Sequence, residues 1–189
     1  MNRREMIERI SSIVKTGYTP SRGSKKYIYL NKECNKKINH GIRVNCFLHC
    51  FNFTDEQLET LRLDCTSDDI ISFGQDIDHK TERKALSFIR ATGLIVKPCK
   101  NISSPLNSNQ WRIAYYNEED FDEGEEANNW HFLLQERNGK WTSKQGFSGD
   151  VTTYNKLPNK IEKPFTPWLL RSTYMITNPY ADEKEAPQM

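Results

Sequence analysis

The stretch NWHFLLQERNGKWTSKQGF, residues 129–147, contains two strand-like runs joined by a turn signal. NWHFLLQER is rich in aromatic and aliphatic residues, and KWTSKQGF follows the Asn138–Gly139 pair, which favours a tight hairpin turn. WRIAYYN, residues 111–117, is a further strand candidate, and the acidic stretch EEDFDEGEEANN after it is typical of a solvated loop. The second half of the chain is therefore predicted to form an antiparallel β-sheet.

Helical signals dominate the first half of the chain. Residues 3–15 carry apolar side chains at spacings of three and four, which predicts an amphipathic helix. Thr54 and Gln57 fit a capping box at the start of a second helix, and residues 78–92 predict a third helix that stops at Gly93. YIYL, residues 27–30, is a short strand candidate. Helices followed by an antiparallel sheet indicate the α+β class, with N-terminal helices packed on a C-terminal sheet.

Length and composition set the broad limits. The chain has 189 residues, enough for one domain with a substantial core. We predict a single α+β domain over residues 1–178, helical in 1–95 and β-rich in 96–178, with a flexible tail at 179–189. The run LPNKIEKPFTPWLLRSTYMI, residues 157–176, holds three prolines and is predicted to be an irregular segment closing one side of the core.

Charge and apolar runs indicate which partners and compartments to expect. The net charge of +2 gives no strong field for nucleic acid, so none is expected as a partner. The sequence shows no apolar run long enough for a membrane span and no classical signal peptide. A soluble protein is expected, cytoplasmic or delivered by a non-classical route. The five cysteines lack the spacing of a disulfide scaffold, so reduced thiols are expected.

Cys46 is the first candidate for chemistry. It lies in NCFLHCFN, residues 45–52, where a strand-like run becomes helix-like. A thiol at a helix start meets the positive end of the helix dipole, which favours the nucleophilic thiolate. His131 opens a strand and is the natural imidazole partner. The competing interpretation is a buried structural cysteine, which is a common role for this residue type.

Three segments carry a resemblance to known proteins. NCFLHCFN, WRIAYYN and NNWHFLLQERNGKWTSKQG resemble bacterial and phage proteins that are similar to papain-like or NlpC/P60-like cysteine hydrolases, over about residues 46–150. The resemblance implies a papain-like fold with Cys46 as nucleophile and His131 as base. Such proteins often carry an acidic residue just before the histidine and a second histidine near the tryptophan. Here those places hold Asn129, Trp130 and Ser143.

A third residue should orient the imidazole, and further groups should stabilise the oxyanion. Asp150 is our choice for the orienting residue, with Gln145 and Asn155 as alternatives, although Asp150 also fits a simple turn role. The backbone N–H of Cys46 is one candidate oxyanion donor. Side chains that are candidates for contacts with the oxyanion or substrate are Asn39, His40, Asn45 and Trp130.

Two other functions compete with catalysis. Cys46, His49 and Cys50 share a helix face and could bind a metal, but structural zinc sites usually come as two separated pairs, so no metal is expected. His49 and Cys50 are then packing residues. The leading prediction is a cysteine hydrolase or acyltransferase that needs no cofactor and acts on an amide or thioester bond of a peptide or protein substrate. The alternative is a non-catalytic protein-binding module, an effector or inhibitor that keeps the papain-like fold.

Overall fold

The computed structural model describes residues 3–20, 46–54, 57, 61, 82–118, 130–144, 151–163 and 167–181. Its helices are α1 (Arg3–Lys15), α2 (Cys46–His49) and α3 (Glu82–Ala91). Its strands are β1 (Ile95–Pro98), β2 (Gln110–Glu118), β3 (Trp130–Gln135), β4 (Trp141–Lys144), β5 (Val151–Tyr154), β6 (Lys160–Ile161) and β7 (Trp168–Thr177). The described part of the chain is thus a mixed α and β structure in which the sheet dominates.

The strands form one seven-stranded sheet in the order β1-β7-β2-β3-β4-β5, and β6 pairs with β7 beyond the end of β1. Each of these pairings is antiparallel, as predicted for the second half of the chain. The prediction of an irregular segment over 157–176 is wrong, because Trp168–Thr177 is a ten-residue strand between β1 and β2. The prolines of that run all precede residue 168, so the strand keeps its backbone N–H groups for pairing.

The predicted hairpin joins β3 and β4. Gly139 N–H donates to the Glu136 carbonyl at 2.9 Å, and Glu136 N–H donates to the Lys140 carbonyl at 2.8 Å. Gly139 adopts a φ of 81°, a left-handed conformation that glycine reaches without the steric cost of a Cβ. The hairpin is confirmed, and its turn spans more residues than the Asn-Gly pair alone.

The helix predictions are confirmed where the structure describes them. α1 matches residues 3–15 and buries Met6, Ile10, Ile13 and Val14. α3 lies inside the predicted 78–92. The capping box is present, since Thr54 N–H donates to Gln57 Oε1 at 2.9 Å and Gln57 N–H donates to Thr54 Oγ1 at 3.3 Å. The reciprocal bonds satisfy two backbone N–H groups at this helix start.

The sheet separates two apolar clusters, one on each of its faces. The helix face packs against α1, α2 and α3 and carries Ile113, Tyr115, Phe132 and Leu134. The second face carries Ala114, Tyr116, Leu133, Trp141 and Trp168. This division follows the alternation of side chains along β2 and β3.

Some predictions fall on residues outside those that the structure describes. They are the YIYL strand, most of the acidic loop over 118–129, and the last eight residues of the predicted tail. Of the helices that the structure describes, none has the length and apolarity needed to cross a membrane.

Candidate active site

Cys46 is the first residue of α2, which packs against β3 and β4 on the helix face. The predicted position of Cys46, at the start of a helix on this antiparallel sheet, is confirmed. Trp111 Nε1–H donates to the Cys50 carbonyl at 3.1 Å and so ties the chain that follows α2 to β2. The strands therefore fix where the Cys46 thiol lies.

The Cys46 thiol is buried, with 5% of the residue exposed. Burial raises the pKa of Cys46 to about 12, against weaker opposite effects of the Phe132 backbone and of Lys144. The thiol is therefore neutral at pH 7. The expectation that the helix start favours a thiolate is not met, because α2 has only four residues and its small dipole is outweighed by burial.

The His131 side chain is fixed on the second face of the sheet. Its Nε2 lies 2.7 Å from Ser143 Oγ on β4, and its ring stacks on Trp168 with centroids 4.2 Å apart and planes at 15°. Lys163 Nζ lies 3.3 Å from the Trp168 ring centroid. These contacts hold one imidazole nitrogen and one ring face of a side chain that is only 1% exposed.

His131 is a neutral imidazole. Burial lowers the pKa of His131 to about 3, with smaller effects in the same direction from Lys163 and His49. Both of these neighbours disfavour a second positive charge nearby. A neutral histidine offers one nitrogen as a donor and the other as an acceptor.

Cys46 meets β3 at the residue that follows His131. The backbone of Phe132 lowers the pKa of the Cys46 thiol and so lies close to it, while the Phe132 side chain belongs to the helix face. Because side chains alternate along a strand, the His131 side chain lies on the second face of the sheet, where it contacts Ser143 and Trp168. The described hydrogen bonds do not join Cys46 to His131 directly. The thiol therefore lies on the helix face near the Phe132 backbone, the His131 ring lies on the opposite face, and Nε2 is the imidazole nitrogen that contacts Ser143.

Ser143 is the contact that sequence reasoning missed. Asp150 and Gln145 lie outside the described residues, and Asn155 is exposed. Ser143 also lowers the pKa of Tyr154, so its side chain lies near that hydroxyl as well. The signal was present in the hairpin: with Gln135 paired to Trp141, alternation puts position 143 on the face that carries His131.

The remaining predicted contact residues are divided between the described and undescribed parts of the chain. Asn39, His40 and Asn45 lie outside the described residues. Trp130 is half-buried and packs edge-on against Phe132, with ring centroids 5.5 Å apart. This contact places Trp130 with the helix-face cluster.

The other polar side chains of α2 are engaged within the protein. His49 Nε2 lies 3.0 Å from Thr142 Oγ1, and Cys50 Sγ–H donates to the Cys46 carbonyl at 3.4 Å. Burial lowers the pKa of His49 to about 3. Both residues are buried, as predicted for packing residues. Among the described residues, no group of three or more histidine, cysteine or acidic side chains is placed to hold a metal ion.

Comparison with known proteins adds no relative to this picture. No family model matches the chain, and neither the curated proteins nor the solved structures gave a match.

Proposed function

We propose that this protein is a papain-like cysteine hydrolase or acyltransferase that acts on an amide or thioester bond of a peptide or protein. The observation that carries the proposal is the fixed imidazole of His131, bonded to Ser143 and stacked on Trp168, at the strand position next to the contact of the Cys46 thiol. A nucleophile, a base and a group that orients the base are the parts that acyl transfer by a thiol requires, and here the thiol and the imidazole ring lie on opposite faces of β3.

The reaction needs the His131 tautomer that carries its proton on Nε2, and the contact of Nε2 with Ser143 Oγ is compatible with that tautomer. When Nε2–H donates to Ser143 Oγ, the lone pair is on Nδ1. Because the His131 ring lies on the second face of the sheet and Cys46 on the helix face, the proposal requires that substrate binding bring Nδ1 to the thiol. Nδ1 then takes the proton of the Cys46 thiol as sulfur bonds to the substrate carbonyl carbon. The imidazolium then gives that proton to the departing amine or thiol, which leaves an acyl group on Cys46. Water completes hydrolysis, or a second nucleophile completes transfer, with His131 again as the base.

The pKa values favour proton transfer during attack over a preformed ion pair. With a Cys46 pKa of about 12 and a His131 pKa of about 3, the resting pair is neutral thiol and neutral imidazole. The thiol proton therefore moves as the carbon–sulfur bond forms, when negative charge passes to the carbonyl oxygen. In this proposal Ser143 takes the orienting role that the sequence assigned to Asp150.

A second candidate function is supported by the burial of the same residues. Cys46 is 5% exposed and His131 is 1% exposed, and burial moves both pKa values away from those of a ready thiolate and imidazolium. These are properties of core residues, and they support a protein that keeps the fold without the chemistry, which is what the alternative of a non-catalytic protein-binding module requires.

Turnover separates the two functions. Pools of fluorogenic peptide amides and of peptide thioesters should be incubated with the wild-type protein, with Cys46→Ala and with Cys99→Ala. Cys99 is a matched control, because it is a free, half-buried thiol whose Sγ contacts Arg112 Nε at 3.2 Å, away from His131. An enzyme loses turnover in Cys46→Ala and keeps it in Cys99→Ala. No turnover in any pool, or equal turnover in Cys46→Ala, would leave the binding module as the better proposal.

A further inference from the structure

Lys144 is a completely buried lysine, with 0% of its surface exposed. Lysine is rarely buried in full, because removing an ammonium group from water is costly unless other groups compensate. The position of Lys144 in β4 and the residues around it indicate one effect of this buried side chain.

Alternation along β4 places Lys144 on the same side of the sheet as Cys46. Thr142 contacts His49 of α2 on the helix face, and Ser143 contacts His131 on the second face. The next residue, Lys144, returns to the helix face. Leu134 pairs with Thr142, and continuing that register by two residues brings Lys144 level with Phe132, whose backbone meets the Cys46 thiol.

The charge of Lys144 acts on Cys46 in the direction that a nucleophile requires. It lowers the pKa of Cys46 against the larger effect of burial, and it also lowers the pKa of His49. His49 therefore stays neutral and adds no charge of its own. Of the other titratable groups near Cys46, Cys50 and His131 are neutral and buried, and Lys163 is half-exposed beside Trp168. A buried cation is screened less by water and salt than an exposed one.

We infer that Lys144 is a positioning residue whose ammonium group stabilises the negative charge of Cys46 sulfur as the thiol loses its proton. The inference rests on the proposed function, because it assigns Lys144 a role in the same reaction. Ser143 and Lys144 then serve the two partners from opposite faces of one strand: Ser143 orients the base, and Lys144 supports the nucleophile.

The test compares Lys144→Met with Lys144→Arg. The rate of Cys46 alkylation by iodoacetamide, followed by peptide mass spectrometry at about pH 9, is proportional to the thiolate fraction when the compared proteins give the reagent equal access to this buried thiol. Loss of the charge in Lys144→Met should slow labelling of Cys46 about tenfold, which corresponds to a rise of about one unit in its pKa. Lys144→Arg keeps the charge and should restore most of the rate. Lys140→Met is the matched control, since Lys140 is exposed in the hairpin turn and its loss should leave the rate unchanged.

Folding of each variant is checked by thermal unfolding, and one measurement needs no variant. The side-chain nitrogen and Cε chemical shifts of Lys144 in the wild-type protein report whether it carries its proton, and the inferred role requires a charged ammonium at pH 7. A neutral amine there, or wild-type labelling in a folded Lys144→Met, would overturn the inference.

These outcomes are distinguishable from failure of the proposed function. If turnover depends on Cys46 but Lys144→Met is labelled at the wild-type rate, only the role of Lys144 is rejected. If labelling is slowed in Lys144→Met but the wild-type protein turns over no substrate, the charge coupling is supported and the enzyme is rejected.

Discussion

Acid should destabilise this protein at a pH well above the range in which carboxyl groups titrate. His49 and His131 are both buried, and burial lowers each pKa from 6.5 to about 3. The unfolded chain therefore binds protons at these two positions between pH 6.5 and 3, while the folded protein does not. Stability contributed by the neutral histidines is fully present above pH 6.5 and is lost as the pH falls below it.

The magnitude follows from the two pKa shifts. At pH 5 each histidine should reduce the free energy of unfolding by about 2 kcal/mol, so the pair should remove about 4 kcal/mol. That is a large part of the roughly 5–15 kcal/mol that stabilises a typical domain. Glu136 acts in the opposite sense, because burial raises its pKa and the folded protein gains stability as that carboxyl takes up its proton. Its effect offsets part of the loss at lower pH.

Urea unfolding followed by tryptophan fluorescence, from about pH 7 to about pH 5, measures this loss directly. His49→Gln and His131→Gln should each show about half the wild-type pH dependence, because one of the two titrating groups is gone. A wild-type free energy of unfolding that stays constant between these pH values would refute the assignment of both side chains as buried neutral imidazoles. The same reasoning predicts that the acid limit of any activity coincides with unfolding and not with a titration near pH 6.5.

Three smaller predictions test the fold and the support of the site. Asn178→Ala should lower the free energy of unfolding by about 1–3 kcal/mol in urea titrations, because its buried amide donates to two backbone carbonyls at the end of α1. Gly139→Ala should cost about 1 kcal/mol in thermal unfolding through its φ of 81° alone, since an added Cβ would meet no atom within 4 Å; a loss of several kcal/mol would contradict this. His131→Phe should lower the free energy of unfolding by about 1–3 kcal/mol, because it leaves the Ser143 hydroxyl without its imidazole partner. Adding Ser143→Ala should recover most of that loss. Additive losses in the double variant would mean that the two side chains are not coupled.

Much of the fold could be predicted because its signals are local. The turn after Arg137, the capping box at Thr54 and the apolar spacing of α1 each depend on residues close in sequence. β7 was missed because three prolines lie just before it and its burial pattern does not alternate cleanly. What makes it a strand is pairing with β1 and β2, whose residues are distant in the chain.

In the candidate site, too, the features set by local sequence could be predicted and those set by contacts between distant residues could not. The helix start at Cys46 and the strand at His131 could be read from local sequence, as could the burial of His49. The contact of Ser143 with the imidazole required the register of the hairpin, and the stacking of Trp168 required the position of β7. The pKa values depend on burial by several elements at once, so the sequence favoured a thiolate where the structure has a neutral thiol.

The central claim, that His131 acts as the base for Cys46, is tested most directly by trapping the acyl group. The protein is incubated with an activated peptide thioester, and the acylated residue and its rate of formation are read by intact and peptide mass spectrometry. The double variant His131→Phe with Ser143→Ala serves as a folded protein without the base. We predict an acyl group on Cys46 of the wild-type protein and a rate at least about a hundredfold lower in the double variant. Acylation at equal rates in the two proteins, or acylation of Cys99 in preference to Cys46, would contradict the account.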